Sequence, residues 1–205
     1  MAGEIRVKIC GLTREADVAA AVAAGVWAVG FVCWPASPRA VTREQLRTLT
    51  AGVPSSVRRV AVVVDPSVED VVLLRDEASL STVQLHGDED PLRFLSLGLD
   101  VIKAVSLDSD AAVEHAAALP EEVIVLVDAY DPARRGGTGE RANWERAAEL
   151  AARRPIILAG GVRPDNIRQA IAQVSPWAVD VSSGVESSPG IKDVALIRAL
   201  VASAD

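Results

Sequence analysis

The chain has 205 residues, of which 50% are apolar, and a formal net charge of −7. This length suits one domain, 1–205, with a full hydrophobic core, and the negative charge argues against nucleic acid as a partner, because phosphate backbones are bound by an excess of lysine and arginine. No stretch reaches the roughly 18 uninterrupted apolar residues of a membrane span, and residues 1–8 lack the apolar region of a signal peptide, so we predict a cytoplasmic protein with no membrane partner.

Short apolar runs alternate with segments of helical period, and the pattern returns roughly every 25 residues, the length of one βα unit. The predicted strands are 5–10, 26–32, 58–64, 82–86, 100–105, 123–128, 155–159 and 177–182. A helical segment is expected after each strand, and three of these begin with capping residues, Thr42, Ser67 and Asn143. Eight such units without a long linker favour an α/β fold, a single (β/α)8 TIM barrel, over an open doubly wound sheet.

In a (β/α)8 barrel the chemistry lies on the loops after the carboxyl ends of the strands. The residues expected there are mostly polar or glycine: Cys10, 33–39, Asp65, His86, 105–106, Asp128, Gly160, Gly161, Ser182, Ser183 and Gly184. Cys10 and Asp128 end two separate strands, so their thiol and carboxylate could face one pocket as base and acid. The simpler readings are a small core side chain for Cys10 and a helix cap for Asp128. His86 either contacts a ligand or is a hydrogen-bonded residue of the pocket wall.

Two glycine-containing strand ends, at 160–161 and 182–184, predict a phosphate site. Glycine lets backbone N–H groups approach an anion at this position of the barrel, although the same glycines could only make tight turns. Arg39 follows two prolines in the segment 34–39. Its planar guanidinium suits a carboxylate, and the alternative is a solvated surface arginine.

Alternation along the strands predicts a buried ion pair. Lys8 shares the inward face of its strand with Cys10, and Asp180 belongs to the last strand, which neighbours the first in a closed barrel. Because an unpaired buried charge is costly, we predict that Lys8 and Asp180 neutralise each other. The chain has only two cysteines, which excludes a disulfide framework, and we expect Cys33 to be an apolar filler. The two histidines are far apart in the sequence, so no metal site is predicted.

The connection 130–141 is the longest after a predicted strand and contains the glycine-rich run 136–139. A glycine-rich loop of this length above a pocket is typical of a lid, and simple disorder is the alternative. Its glycines do not have the spacing of a dinucleotide-binding motif.

Eight segments of the chain, in order from the first strand to the last, resemble the phosphoribosylanthranilate isomerase family. They are KICGLT at 8–13, AVGF at 28–31, SPR at 37–39, VQLHG at 83–87, KA at 103–104, GGTG at 136–139, AGG at 159–161 and DVSSGVE at 180–186. The resemblance covers the whole chain, and eight matches in register are far more specific than any one of them.

This resemblance implies the Amadori rearrangement of N-(5-phosphoribosyl)anthranilate to 1-(2-carboxyphenylamino)-1-deoxyribulose 5-phosphate in tryptophan biosynthesis, with no cofactor. It implies that Asp128 protonates the furanose ring oxygen and that Cys10 removes the proton from C2 of the opened sugar. It also implies that Arg39 holds the anthranilate carboxylate and that the backbone at 160–161 and 182–184 holds the phosphate.

Two positions depart from the family pattern. The family commonly continues the glycine-rich run with a lysine and, two residues later, an aromatic residue, where this chain has Glu140 and Ala142. Only 3% of the residues are aromatic, and Trp34 is the ring placed to contact anthranilate.

Two other functions and two assembly states are compatible with the same segments. A sugar isomerase of histidine biosynthesis, or a dual-substrate enzyme serving both pathways, would be expected to have an acid in place of Cys10. A non-catalytic phosphosugar-binding barrel would not need both Cys10 and Asp128. The apolar helix faces fit either a monomer or a homodimer.

Overall fold

The computed structural model describes residues 5–129 and 142–204, and eight parallel strands close into a barrel in sequence order. The strands are β1 Arg6–Ile9, β2 Ala28–Val32, β3 Arg58–Val63, β4 Thr82–Leu85, β5 Asp100–Ser106, β6 Val123–Asp128, β7 Ile156–Leu158 and β8 Ala178–Val181. The pairing of β8 with β1 closes the barrel and sets Asp180 beside Lys8. The predicted (β/α)8 barrel is confirmed, and all eight strands lie within two residues of their expected bounds.

Helices pack around the outside of the barrel. They are α1 Glu15–Ala23, α2 Arg43–Ala51, α3 Val68–Ala78, α4 Asp110–Ala117, α5 Trp144–Ala151, α6 Ile167–Val174 and α7 Val194–Ala204. The predicted helix starts are confirmed: Thr42 and Ser67 begin α2 and α3 with complete capping boxes, and the Asn143 side chain accepts a hydrogen bond at the start of α5.

Two connections differ from the expected repeat of strand and helix. β4 is followed by a 3-10 helix, Pro91–Leu97, rather than by an α-helix. The segment lies between Asp90 and Gly98, which has a φ of 70°, and 3-10 geometry is common in short connecting segments. After β8 the chain forms a 3-10 turn, Ser183–Val185, and then a small hairpin of β9 Glu186–Ser188 and β10 Ile191–Lys192, before α7 begins.

The hydrophobic core has two parts, as expected of a (β/α)8 barrel. The larger part lies between the strands and the surrounding helices, and the smaller part fills the barrel interior with side chains such as Val60, Ile102 and Leu126. At the amino-terminal end of the barrel the rings of Trp27 and Trp177 meet edge to face, with their centroids 5.0 Å apart. These two rings form a floor beneath the interior side chains, and we call this pair the tryptophan floor.

Arg154 stabilises the connection between α4 and β6 through hydrogen bonds to its backbone. Its guanidinium donates to the carbonyl oxygens of Ala116 (3.0 Å), Leu119 (2.7 Å), Pro120 (3.0 Å) and Val123 (2.7 Å). Of these acceptors, Ala116 O belongs to the last turn of α4, where a carbonyl has no intrahelical partner, and the other three lie in the connection and at the start of β6. Within the described ranges, no helix is long and apolar enough to cross a membrane.

Candidate active site

A pocket of about 770 Å³, including its open mouth, lies at the carboxyl ends of the strands. All nine residues predicted from the sequence line it: Cys10, Arg39, His86, Asp128, Gly160, Gly161, Ser182, Ser183 and Gly184. The thiol follows β1 and the carboxylate ends β6, and β7 and β8 separate these strands around the barrel. The barrel therefore directs the thiol and the carboxylate into the pocket from different sides.

Cys10 is held at the base of this pocket with 7% of its surface exposed. Its backbone N–H donates to Val181 O at 2.9 Å, and Gly11, with a φ of 73°, turns the chain away from the strand. Burial raises the pKa of the Cys10 thiol, and the positive charges of Lys8 and Lys192 oppose this rise. The pKa of Cys10 is therefore not lowered, as a thiolate base would require. For Cys10 to act as a base, the cations around its sulfur must stabilise the thiolate.

Asp128 lies beside His86 in the pocket wall. His86 Nε2 is 3.5 Å from Asp128 Oδ2, and the amide nitrogen of Gln84 is 3.2 Å from His86 Nδ1. The contact with Gln84 holds the imidazole ring in the pocket wall with Nε2 on the side of the carboxylate. His86 thus has a polar contact in the pocket wall, and its contact with a ligand stays a prediction. Asp128 Oδ1 also accepts from the N–H of Ala129 at 2.8 Å, which fixes the carboxylate.

The predicted ion pair between Lys8 and Asp180 is present, with Nζ 2.9 Å from Oδ2. Lys8 is fully buried, whereas Asp180 is 8% exposed and lines the pocket. Burial would lower the pKa of Lys8, but the Asp180 carboxylate and the Cys10 sulfur together outweigh this effect and keep the pKa above its ordinary value. Asp180 Oδ1 has no hydrogen-bond partner within the described part of the chain.

Arg39 is held by an acidic residue that the sequence analysis did not assign to the site. Its guanidinium makes a bidentate pair with Glu186, at 2.8 and 2.7 Å. Lys192 Nζ binds the same carboxylate at 2.7 Å. Burial would raise the pKa of Glu186, but the hydrogen bonds and charges of its two cationic partners keep that pKa below its ordinary value. Two cations and one anion leave one net positive charge at this edge of the pocket.

The glycines predicted to hold phosphate have conformations or contacts that exclude a side chain. Gly160 and Gly161 have φ values of 73° and 69°, which L-residues rarely adopt. A Cβ atom on Gly160 would lie 2.8 Å from Ala129 N, and one on Gly184 would overlap Val162 O. The backbone can therefore approach a ligand closely along this rim.

The structure adds residues to the site that sequence reasoning missed. Gln84 lines the pocket, and its two-residue spacing from His86 on the same strand could have revealed it. Lys192 had no such signal, because it reaches the site from the hairpin after β8. Trp34 lines the pocket as suggested, whereas Cys33 packs against the outer core and burial raises its pKa to about 12. The predicted lid and Glu140 fall outside the described residues. Within the described residues, no group of three or more His, Cys, Asp or Glu side chains is arranged to hold a metal.

Residues 7–203 match the family model of N-(5′-phosphoribosyl)anthranilate (PRA) isomerase. The chain is 47% identical over 199 residues to N-(5′-phosphoribosyl)anthranilate isomerase of Chromohalobacter salexigens, a match covering 96% of this chain and 92% of the relative.

Two solved structures share the fold. One is a phosphoribosylanthranilate isomerase in complex with reduced 1-(o-carboxyphenylamino)-1-deoxyribulose 5-phosphate, with a TM-score of 0.86, 35% identity and 98% of both chains covered. The other is a structure of monomers generated from the dimeric isomerase of Thermotoga maritima, with a TM-score of 0.87, 34% identity and the same coverage. The barrel, its pocket and these matches show that this chain belongs to the phosphoribosylanthranilate isomerase family, enzymes of tryptophan biosynthesis.

Proposed function

We propose that this protein converts N-(5-phosphoribosyl)anthranilate to 1-(2-carboxyphenylamino)-1-deoxyribulose 5-phosphate, with Cys10 as general base and Asp128 as general acid. One observation carries the residue assignment: a thiol and a carboxylate from well-separated strands line one pocket whose rim offers both a guanidinium and a glycine-rich backbone. The substrate has a carboxylate at one end and a phosphate at the other, with the reacting carbons between them.

In the first step Asp128 gives its proton to the furanose ring oxygen. The bond between C1 and this oxygen breaks, and the lone pair of the anthranilate nitrogen forms the Schiff base. The fixed position of the carboxylate, held by Ala129 N–H and adjacent to His86, supports this assignment. Asp128 is left as a carboxylate, with His86 Nε2 3.5 Å from its Oδ2.

In the second step the Cys10 thiolate takes the proton from C2. The electron pair of the C–H bond forms the double bond between C1 and C2, and the electrons of the C=N bond return to nitrogen. The product of this step is an enolamine, which tautomerises to the ketone as a proton leaves the C2 hydroxyl and another is added to C1. General acids and bases contribute about 10²–10⁴-fold each.

Two anion sites would hold the substrate at its ends. Arg39, in a cluster with one net positive charge, would bind the anthranilate carboxylate, and Trp34 lines the pocket as a candidate contact for the ring. The backbone of Gly160, Gly161 and 182–184 would bind the phosphate through N–H groups. His86 would complete the wall.

The direct test follows the loss of substrate fluorescence when the purified protein is mixed with N-(5-phosphoribosyl)anthranilate. Turnover in the wild type, abolished in a Cys10→Ala/Asp128→Asn double variant, is the expected result. An inactive wild type that still binds reduced product analogue would instead indicate a phosphosugar-binding barrel. Turnover of the aminoaldose substrate of histidine biosynthesis in a parallel assay would indicate a dual-substrate enzyme.

We also propose that the enzyme is cytoplasmic, where its two free thiols would stay reduced. We propose that it is a monomer or a homodimer. Sedimentation equilibrium distinguishes these two assemblies by mass. No cofactor takes part in the proposed steps, because the two side chains supply and accept every proton that the ring opening and C2 deprotonation require.

A further inference from the structure

A buried ammonium group lies beside the thiol at the base of the pocket. Lys8 and Cys10 are two residues apart on the inward face of β1, and Lys8 is fully buried. Both side chains converge on Gly30 of β2: a Cβ atom on this glycine would be 2.9 Å from Cys10 Sγ and 3.1 Å from Lys8 Nζ. Because Gly30 has no side chain, the sulfur and the ammonium can both approach the space beside its Cα atom.

We propose that Lys8 is a positioning residue that stabilises the thiolate form of Cys10, against the opposing negative charge of Asp180. The catalytic consequence rests on the proposed function, whereas the effect on the thiol itself does not. A cation in contact with the sulfur favours the thiolate. Without one, a thiol with 7% exposure would stay protonated, because burial opposes charge.

The charges around Cys10 come from four elements. Lys8 on β1 and Lys192 on β10 favour the thiolate, Asp180 on β8 opposes it, and the Arg39 guanidinium after β2 also interacts with the sulfur. Glu186 on β9 neutralises part of the charge of Lys192 and Arg39, because it binds both. Lys8 is the strongest of the cations that act on the thiol.

The geometry of the ion pair supports more than a role in barrel stability. Lys8 Nζ binds only Asp180 Oδ2 among the described carboxylates, and the pair lies at the base of the pocket, where Asp180 is one of the lining residues. During turnover the ammonium keeps its proton throughout. The thiolate gains the C2 proton and becomes a thiol, and it later releases that proton to solvent, so Lys8 changes neither charge nor bonding.

The test measures the rate of Cys10 alkylation by iodoacetamide as a function of pH, with peptide mass spectrometry to separate Cys10 from Cys33. In Lys8→Met we expect the thiol pKa to rise by about one unit or more, which makes alkylation about tenfold slower or more at pH 7.5. In Asp180→Asn we expect the opposite, a lower thiol pKa and faster alkylation, because a negative charge is lost and the thiolate becomes the counter-charge of the ammonium.

The opposite signs separate the proposal from a purely structural ion pair. Both substitutions break the same pair, so a structural role predicts similar losses of thermal stability and the same direction of change in reactivity. An unchanged thiol pKa in Lys8→Met, or shifts of the same sign in the two variants, would overturn the proposal. Lys103→Met is the matched control, since this half-buried lysine pairs with Glu89 and is not among the charges acting on Cys10.

Gly30→Ala keeps the test decisive if Lys8→Met does not fold. The added methyl group would lie 2.9 Å from the sulfur and 3.1 Å from the ammonium, so it would force the two groups apart without removing a charge. We expect a raised thiol pKa in this variant, and an unchanged value would contradict the proposal. Alkylation needs no substrate, so the two proposals can fail separately. If the wild type is an active isomerase but the variants show no shift in the thiol pKa, only this inference is refuted. If the variants show the shift but the wild type has no isomerase activity, only the proposed function is refuted.

Discussion

Arg39 and Glu186 form a bidentate ion pair at the edge of the pocket, with Nε 2.8 Å from Oε1 and Nη2 2.7 Å from Oε2. Both side chains are almost fully buried, and 147 residues separate them in the chain. The pair fixes the orientation of the planar guanidinium. A ligand carboxylate would pair with the guanidinium N–H groups that Glu186 does not bind. Glu186 is therefore a support for the proposed carboxylate site.

Arg39→Ala should weaken substrate binding more than it slows the chemical step. Loss of a charge-assisted hydrogen bond costs about 1.5–3 kcal/mol, or roughly 10- to 150-fold in KM. The fold should survive, because Glu186 keeps Lys192 as its partner. Steady-state kinetics with N-(5-phosphoribosyl)anthranilate measure the effect, and Arg43→Ala, which removes an exposed pair with Glu77, is the control. An unaltered KM would refute the carboxylate contact.

Cys10→Ser should fold normally and lose most of its turnover. The serine hydroxyl fills the space of the thiol but is far less acidic, so it cannot act as a base at neutral pH. We expect kcat to fall by about 10²–10⁴-fold, with a melting temperature close to that of the wild type. If serine supports a rate near that of the wild type, Cys10 is not the base.

Asp128→Asn should remove the acid without disturbing its surroundings. The asparagine carbonyl can still accept the hydrogen bond that Ala129 N–H donates to Oδ1 at 2.8 Å, but the side chain has no acidic proton. The expected loss of kcat is again about 10²–10⁴-fold, measured beside circular dichroism to confirm the fold. An unchanged kcat would assign the proton donation to another group.

The sequence predicted most of the barrel because strand periodicity and capping residues are local signals. The strand ends followed from apolar runs, and the helix starts at Thr42 and Ser67 followed from capping-box spacing. The 3-10 helix Pro91–Leu97 was missed because composition does not distinguish a 3-10 helix from an α-helix in a short segment.

The part of the site that local sequence signals could not predict depends on long-range contacts. Asp180 could be paired with Lys8 because barrel closure makes their strands neighbours. The bonds of Glu186 to Arg39 and Lys192 could not be predicted, because they depend on a hairpin outside the repeating unit. The pKa of Cys10 depends on burial and on charges from several elements, so its direction also required the folded structure.

Gly160→Ala should destabilise the barrel at the proposed phosphate rim. Alanine at a φ of 73° is strained, and its Cβ would lie 2.8 Å from Ala129 N, so we expect a loss of about 2–3 kcal/mol in the free energy of unfolding. Urea denaturation measures this loss. Gly52→Ala is the control: nothing lies within 4 Å of its Cβ and its φ is −85°, so it should be neutral or stabilising by up to about 1 kcal/mol. Equal effects of the two substitutions would contradict the strained geometry.

Arg154→Met should cost far more stability than Arg153→Met, although the two arginines are adjacent. Arg154 donates to four carbonyl oxygens, and leaving such acceptors unpaired should cost about 2–4 kcal/mol. Arg153 makes an exposed pair with Glu114, which contributes little to stability because solvent screens its charges. Thermal unfolding of both variants gives the comparison, and similar melting temperatures would show that the carbonyl contacts contribute little.

The tryptophan floor leaves the pocket as the side from which Cys10 meets solvent. Trp27 and Trp177 pack against the interior side chains at the end of the barrel opposite the pocket, whereas Cys10 is one of the residues that line the pocket. A ligand in the pocket would cover the 7% of Cys10 that is exposed. Under the proposed assignment of Cys10 as the base, we expect the thiol to lose its captured proton after the product leaves, which links the recharging of the base to the emptying of the site.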